Sequence, residues 1–286
     1  MYEIEKYTDV NIKGTSIFLD ILANEKHSVK KMIIASSRSI YGEGKYRCDK
    51  HDIVYPTERL DKDMANKDFN IKCPICNENV ELLATDENSK IHPSSIYGIT
   101  KQVQEQMFMV MGKSLNILAV AFRYQNVYGA EQSLSNPYTG ILSIFSTIIK
   151  NGNSINIFEY GKESRDFVYI DDVVDATILR IKKDEANYEV FNVGTGEGID
   201  VSRVANIPKE VYGSDTNVKI SDNYRLRNIR GNYADLTKIK DKLGFSSKID
   251  FKLGIIKFTT WVNTQEVKDD NYIKSIDEIK DKGLYK

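Results

Sequence analysis

The sequence predicts an α/β fold, a doubly wound parallel sheet with a smaller mixed α/β domain attached. Three observations carry this expectation. Two short apolar runs, KKMIIASS (30–37) and NILAVAFR (116–123), are of the near-continuous kind that parallel strands show when both faces are covered. Each follows a helix-like stretch, and this alternation is the mark of right-handed crossovers in one sheet. The chain has 286 residues, 41% hydrophobic and 28% charged, which suffices for a real core and excludes a disordered polymer.

The elements follow in order. Residues 1 to about 28 carry a dense apolar face (Ile12, Thr15, Ile17, Phe18, Leu19, Ile21, Leu22) after a polar first turn, a helix pattern. KKMIIASS ends in small hydroxyls, as a buried strand feeding a loop does. Residues 43–90 are polar, with little apolar periodicity. Pro93, Ser94 and Ser95 then open a helix to about Gly112, where a glycine marks the end. NILAVAFR is the second strand. A helix at about 139–151 precedes SINIF, RDFVYI, a helix from Asp171 to about Lys182, and YEVFNVGT. Short elements and a helix near Leu253–Asn263 complete the chain. Internal repeats and low-complexity runs are absent.

Composition narrows the function classes. A formal net charge of −1 gives no whole-molecule field for nucleic acid or an anionic membrane. GILSIFSTII, the most apolar window, is too short to span a bilayer, and MYEIEKYTDV is too acidic for a secretory signal. The three cysteines, Cys48, Cys73 and Cys76, cluster in one stretch, which argues for a reduced compartment. A cytoplasmic location is the expectation.

HPSSIYGITK (92–101) holds the first chemical signal, Tyr97 and Lys101 one helical turn apart and on one face. Three other Tyr-x-x-x-Lys pairs occur, Tyr2/Lys6, Tyr41/Lys45 and Tyr46/Lys50, without a preceding strand or inside a glycine-bearing turn. A phenol titrates near pH 10, and a cation beside it brings phenolate into working range. Ser37 in SSRSIYG adds a hydroxyl at a strand's C-terminal end, where open α/β sheets bind ligands. Together the three can move a proton on or off a sugar or alcohol oxygen while a nicotinamide takes the hydride.

The second signal is the pair of knuckles Cys48-x-x-His51 and Cys73-Pro-x-Cys76, which uses every cysteine. That spacing suits tetrahedral zinc, structural because four protein ligands leave no open position. So polar a segment cannot build its own core, and a metal clip would order it. The alternatives are a loop with incidental thiols and an exposed His51, redox regulation through Cys73/Cys76, or nucleic-acid binding, against which the mixed charge and missing basic stripe argue. His27 reads as a helix C-terminal residue and His92 as a loop residue.

NIKGT (11–15), SSRSIYG, PSSIYGITK, RYQNVYG, GKESRDFVYIDDVVDA, FNVGTGEGIDV and YRLRNIRGNYADL, in this order over nearly the whole chain, resemble the extended short-chain dehydrogenase/reductases. More narrowly they resemble the NAD-dependent nucleotide-sugar epimerases and dehydratases. The resemblance implies a truncated Rossmann-type sheet. A partial NAD-binding domain would occupy 1–47 and 82–135, a zinc-ribbon-like insert 48–81, and a nucleotide-sugar domain mainly 136–286, with segments returning to the sheet. It makes Tyr97 the base, has Lys101 tune it and hold the cofactor ribose, and has Ser37 bind the reacting hydroxyl. Asn11, Ser36 and Tyr124 would line the cofactor; Asn126, Arg165 and Arg225 would hold the substrate's diphosphate, a task that suits guanidinium groups. The plain alternatives are a surface ion pair for each arginine and a turn residue for Asn126. It also implies a homodimer, to which Met107, Phe108 and Met111 would contribute unless they belong to the core.

The family's 4,6-dehydratases are expected to carry Asp and Glu directly after the hydroxyl residue; here Arg38 and Ser39 follow Ser37, which disfavours dehydration. C4 epimerisation through a 4-keto sugar remains. The serine loop and cysteine insert resemble members of the dTDP-L-rhamnose 4-epimerase type, with UDP-glucose 4-epimerase types a near alternative. The family's opening strand, glycine-rich turn and ribose-binding acid find no counterpart before Asn11, and GTGEG (194–198) lacks the G-x-G-x-x-G spacing. This supports either a fragment of an active enzyme or a catalytically silent chain that binds nucleotide sugar or a partner. An in-frame G-x-x-G-x-x-G segment upstream of Met1 would separate the two.

Overall fold

A computed structural model of the chain describes residues 3–135, 140–182, 187–226, 228–266, 272–283 and 285–286. It opens with α1 (Ile4–Tyr7), a π turn (Thr8–Lys13) and α2 (Gly14–Asn24), whose Leu19 and Leu22 face the core. The helix ends at 24 and not 28. At Glu25 the backbone becomes extended, and the His27 ring folds back to within 2.9 Å of the Leu22 carbonyl.

β1 (Lys31–Ser37) runs into a 3-10 turn (Arg38–Tyr41). The polar stretch after it is structured, with β2 (Tyr46–Cys48), β3 (Asp52–Val54), α3 (Asp61–Ala65) and β4 (Glu81–Leu82). Antiparallel pairing in the order β3-β2-β4 gives it a small core of Tyr46, Cys48, Val54, Ile71 and Cys73. The expectation of a coreless segment is thus corrected. Two of the five core residues are cysteines, which polarity counts hide because a thiol packs as a small hydrophobe.

α4 (Ile96–Ser114) begins later and ends later than the 93–112 expected. Ser95 is its N-cap, its hydroxyl accepting from the Gly98 amide at 3.0 Å. Gly112 is not a stop signal. It lies inside the helix, where a Cβ would come within 2.4 Å of the Ala119 side chain, so glycine there lets the helix lie against the sheet.

β5 (Leu118–Tyr124) is followed by β6 (Asn126–Tyr128), α5 (Ile141–Lys150), β7 (Ile155–Ile157), β8 (Ser164–Arg165), β9 (Phe167–Tyr169), α6 (Ile170–Lys182) and β10 (Glu189–Val193). The start expected for α5 near residue 139 lies outside the described residues. β11 (Ile199–Asp200), α7 (Val201–Tyr212), β12 (Val218–Ile220), β13 (Gly231–Asn232), α8 (Thr237–Leu243), α9 (Phe251–Asn263) and α10 (Tyr272–Asp281) complete the chain. The sequence pattern foretells α9 but not α7, which contains Pro208 within its span, the residue type that argues most strongly against a helix.

The central sheet has the order β1-β5-β10, parallel throughout, the Rossmann-like arrangement expected. Ala119, Val120, Ala121 and Phe122 of β5 are fully buried, which explains the uninterrupted apolar run. α2 and α4 cover one face. Phe108 is buried there, with Met107 and Met111 packed beside it, so these three belong to the core. α6 and α8 cover the other face, and a separate core gathers α5, α7 and α9 around β7 and β9. Small sheets β6-β9, β12-β7 and β11-β8-β13 link the two halves.

Candidate functional site

The site grows from the C-terminal ends of β1 and β5, where Ser37 pairs with Tyr124. The chain leaves β1 in the 3-10 turn, with Ser37 Oγ accepting from the Ser39 amide at 3.2 Å and the Ser39 hydroxyl at 2.9 Å. α4 meets this turn at Gly98. A Cβ there would lie 2.6 Å from the Ser39 carbonyl oxygen and 2.9 Å from Pro93 Cβ. Glycine therefore lets the helix sit directly on the serine turn.

One residue before it is Tyr97, 38% exposed, its phenol near enough to Ser37 for that hydroxyl to lower its pKa. Burial pushes this phenol above its ordinary range, while the Ser37 hydroxyl and the Arg38 guanidinium pull it back. Lys101 is one turn along the same helix, but its ammonium donates to Gln104 Oε1 at 2.6 Å, and burial lowers its pKa. The cation acting on the phenol in this structure is Arg38, half-buried directly after Ser37. Burial first and Arg165 second lower its own pKa to about 9.

The residues expected to line a cofactor are spread around this edge. Tyr124 is half-buried, its hydroxyl 3.3 Å from Thr177 Oγ1, and burial raises its pKa. Asn11 donates to Thr100 Oγ1 on α4 at 3.0 Å. Ser36 is buried, and its hydroxyl donates to Glu105, which also receives Arg123 at 2.6 and 3.1 Å.

Among the residues expected to hold the diphosphate, Asn126 sits in β6, paired with Phe167, not in a turn. Arg165 is not a surface ion pair. Half-buried, it donates to the carbonyls of Ser164 (2.7 Å), Ile229 (2.8 Å) and Arg230 (3.3 Å) and to Asn228 Oδ1 (3.2 Å). Arg225 is half-buried, bridged to Tyr285 through backbone, and its guanidinium is in no ion pair among the described residues.

The structure adds charged residues that sequence reasoning missed. Glu159 is fully buried and receives both terminal nitrogens of Arg59, one of them at 3.0 Å, and Arg230 Nη1 at 3.2 Å. Glu43 is buried and accepts the Arg230 amide at 2.9 Å. Burial raises its pKa to about 7, against the pull of Arg59. Glu163 is raised by burial and by Glu159, and it receives the Asn228 amide group. Arg38 had one sequence signal, its place beside Ser37, and Arg230 had another, its place five residues after Arg225. Arg59, in the polar insert, had none.

The four insert donors converge. Cys48 Sγ is 3.6 Å from both His51 Nδ1 and Cys76 Sγ, Cys73 Sγ is 3.6 Å from His51 Nδ1, and all four atoms lie within 4.8 Å of one another. Metal–sulfur and metal–nitrogen bonds of ~2.3 and ~2.0 Å in a tetrahedron give edges of roughly 3.5–3.8 Å, so the group fits zinc. Against the desolvation of its surroundings, amide donors of Cys76 and Ile75 pull the Cys73 thiol down to about 6, towards the metal-binding thiolate.

Comparison with known proteins follows the same outline. Residues 77–194 match the profile of the NAD dependent epimerase/dehydratase family. A dTDP-L-rhamnose 4-epimerase of Burkholderia thailandensis is 30% identical over 263 residues, 91% of this chain and 70% of that protein. The UDP-glucose 4-epimerase of Thermotoga maritima, solved with UDP-glucose, superposes with a TM-score of 0.72 at 28% identity, covering 91% of this chain and 72% of that one. A UDP-N-acetylglucosamine 4-epimerase of Methanobrevibacter ruminantium, solved with UDP-N-acetylmuramic acid, gives 0.71 at 27% identity, covering 92% and 72%.

Proposed function

The chain belongs to the NAD-dependent epimerase/dehydratase family, and from that premise we propose that it serves the C4 epimerisation of a nucleotide-activated sugar through a transient 4-keto sugar. The observation that carries this is the close seating of α4 on the serine turn at Gly98, which puts Tyr97 beside Ser37 at the C-terminal edge of the sheet. Ser37 holds the sugar O4, and Tyr97 takes its proton as the C4–H bond breaks. NAD held at this edge would supply the acceptor and donor for the C4 hydride. Tyr97 then returns the same proton to O4 of the epimer, so the phenol ends the cycle as it began. Tyr97, Lys101 and Tyr124 fit the nicotinamide–ribose end of the cofactor, with Ser36 and Asn11 behind them. Arg225 and Arg165, with Asn126, hold the diphosphate. The Arg38–Ser39 pair after Ser37 supplies no acid for dehydration.

The relatives favour dTDP-L-rhamnose as substrate and UDP-glucose as the next choice. Binding without turnover is a second account. It is favoured by one observation, that the Lys101 ammonium is held by Gln104 and not by the Tyr97 phenol. The test supplies NAD and each nucleotide sugar to the chain as its gene encodes it and follows the sugar H4 signal by NMR. Wild type should interconvert the epimers. Tyr97→Phe should bind sugar nucleotide and turn over at least about a hundredfold more slowly. Near-normal turnover by that variant refutes the assignment of the base; no turnover by wild type selects the binding account.

The insert's donors support one structural zinc held by Cys48, His51, Cys73 and Cys76. Exposed Ile17, Phe18 and Ile21 on α2 and Val110 on α4 support a homodimer, which light scattering would test.

A further inference from the structure

We propose that the Cys/His insert is a metal-clipped arm that positions the diphosphate-binding arginines, and that Arg59 is the residue through which it acts. This rests on the zinc and nucleotide-sugar accounts above and extends them to a coupling between the two sites.

Arg59 lies in the loop between His51 and Cys73, whose donor atoms are 22 residues apart in sequence and 3.6 Å apart in space. A metal on these donors closes that loop at both ends. The closed loop contains α3 and Phe69, and it leans on the substrate domain. Met64, Phe69 and Tyr224 form a buried cluster of their own, and Tyr224 donates to Asp61 at 2.8 Å. Arg59 passes through this contact with a side chain only 3% exposed. Besides its two-pronged pair with Glu159, it donates to the Asn228 carbonyl at 2.9 Å.

Asn228 opens the segment that the other groups also grip. Arg165 binds the carbonyls of Ile229 and Arg230, Glu43 takes the Arg230 amide, and Glu163 takes the Asn228 side chain. Residues 228–230 are therefore held from two directions, by Arg59 and Glu43 and by Glu163 and Arg165. Arg225 is three residues before this segment and Arg230 ends it. Glu159 is the pivot. With Arg59 present, the fully buried carboxylate is satisfied, and Arg230 shares it through one nitrogen only. With Arg59 gone or its loop undone, Glu159 has Arg230 as its one remaining guanidinium partner among the described residues. A buried charge does not stay half-paired, so Arg230 would be drawn fully onto it and the segment would shift. The insert's own core of five residues is too small to hold the loop without the clip.

The test uses the chain purified from zinc-supplemented medium, the same protein stripped by chelation, and the variants Arg59→Ala, Arg59→Lys and Cys76→Ser. Three quantities are read: metal per chain by mass spectrometry, Kd for UDP and for dTDP by calorimetry, and amide exchange across 157–165 and 228–232, with 119–122 of β5 as internal control. We expect one zinc per untreated chain. Stripping, Cys76→Ser and Arg59→Ala should each weaken diphosphate binding about tenfold, within the usual span for coupled sites. Each should also speed exchange at 228–232 and leave β5 unchanged. Arg59→Lys should recover part of the affinity. The unchanged β5 control shows that the domain is folded, which a general loss of structure would not give. A chain that carries no metal overturns the clip. Stripped protein with full affinity and slow exchange at 228–232 overturns the coupling, and so does an Arg59→Ala chain that behaves as wild type. If untreated protein binds neither UDP nor dTDP, the nucleotide-sugar account fails, and the exchange data alone decide whether the insert positions the segment.

Discussion

Gly98→Ala is the sharpest perturbation of the proposed site, because it changes one methyl group and no charge. The added Cβ would stand 2.6 Å from the Ser39 carbonyl oxygen, where ordinary contact begins at 3.4 Å. The oxygen belongs to backbone in the capped 3-10 turn, so it cannot swing aside as a long side chain would. Pro93 Cβ at 2.9 Å closes the other direction. The helix must then retreat from the turn by about 0.8 Å, the difference between those two contact distances. Overpacking of this kind costs about 1–3 kcal/mol. Chemically the retreat separates Tyr97 from Ser37, and displacements near 1 Å in an active site cost about a hundredfold in rate. Thermal unfolding reads the first effect and epimerisation kinetics the second. The expected outcome is a lowered Tm of a few degrees, together with a much lower kcat at nearly unchanged KM, since the diphosphate arginines are untouched. A Gly98→Ala protein with wild-type Tm and wild-type kcat would show that α4 does not rest on the serine turn as described. Loss of KM alone would show that Gly98 serves substrate binding and not the alignment of the two hydroxyls.

Three further outcomes are expected. Arg225→Ala removes a guanidinium with no ion-pair partner among the described residues, so it should leave Tm unchanged and weaken sugar-nucleotide binding by about 1.5 kcal/mol or more, about tenfold in Kd; a Tm loss with normal Kd would restore the structural-pair alternative. Glu105→Ala strands the buried Arg123 guanidinium and should cost about 3–5 kcal/mol in urea unfolding. Glu43, whose folded pKa is raised by burial to about 7, contributes stability that is full below its unfolded value and is lost as pH rises through 7. Glu43→Gln should therefore gain stability relative to wild type between about pH 5 and 8 in paired denaturation curves, and parallel curves would show that Glu43 does not titrate there.

Much of the sheet and the placing of Tyr97 and Lys101 on one helix was legible in the sequence because both depend on local patterns. A strand buried on both faces must be apolar throughout, as in NILAVAFR, and a helix must present Tyr97 and Lys101 together at a spacing of four. The element ends were less legible. Gly112 reads as a helix stop by its residue type, but its place is decided by Ala119, a neighbour across the helix–sheet contact. α7 was hidden by Pro208 for the same reason, since packing outweighs a local penalty. The electrostatics at Tyr97 also escaped: spacing puts Lys101 on the right face, yet its ammonium goes to Gln104, and it is the charge of Arg38 that lowers the phenol's pKa.

The least legible part was the grip on residues 228–230, and its composition explains why. Arg59, Glu159, Glu163 and Arg230 are charged residues in polar stretches, and in sequence each is indistinguishable from a solvated surface group. Their burial becomes possible only because they meet one another, with Arg59 and Glu159 separated by 100 positions. No window of local sequence contains both members of the pair. Because a buried charge is tolerated only when paired, a shared fate follows for the segments that contribute them. The insert between β2 and β4 cannot move without exposing or stranding Glu159, and Glu159 cannot be re-paired without moving Arg230. The insert is therefore more than an ornament on the loop after β1. Through Arg59 it is tied to Glu159 and to the Asn228 carbonyl, so its position and that of residues 228–230 are set together.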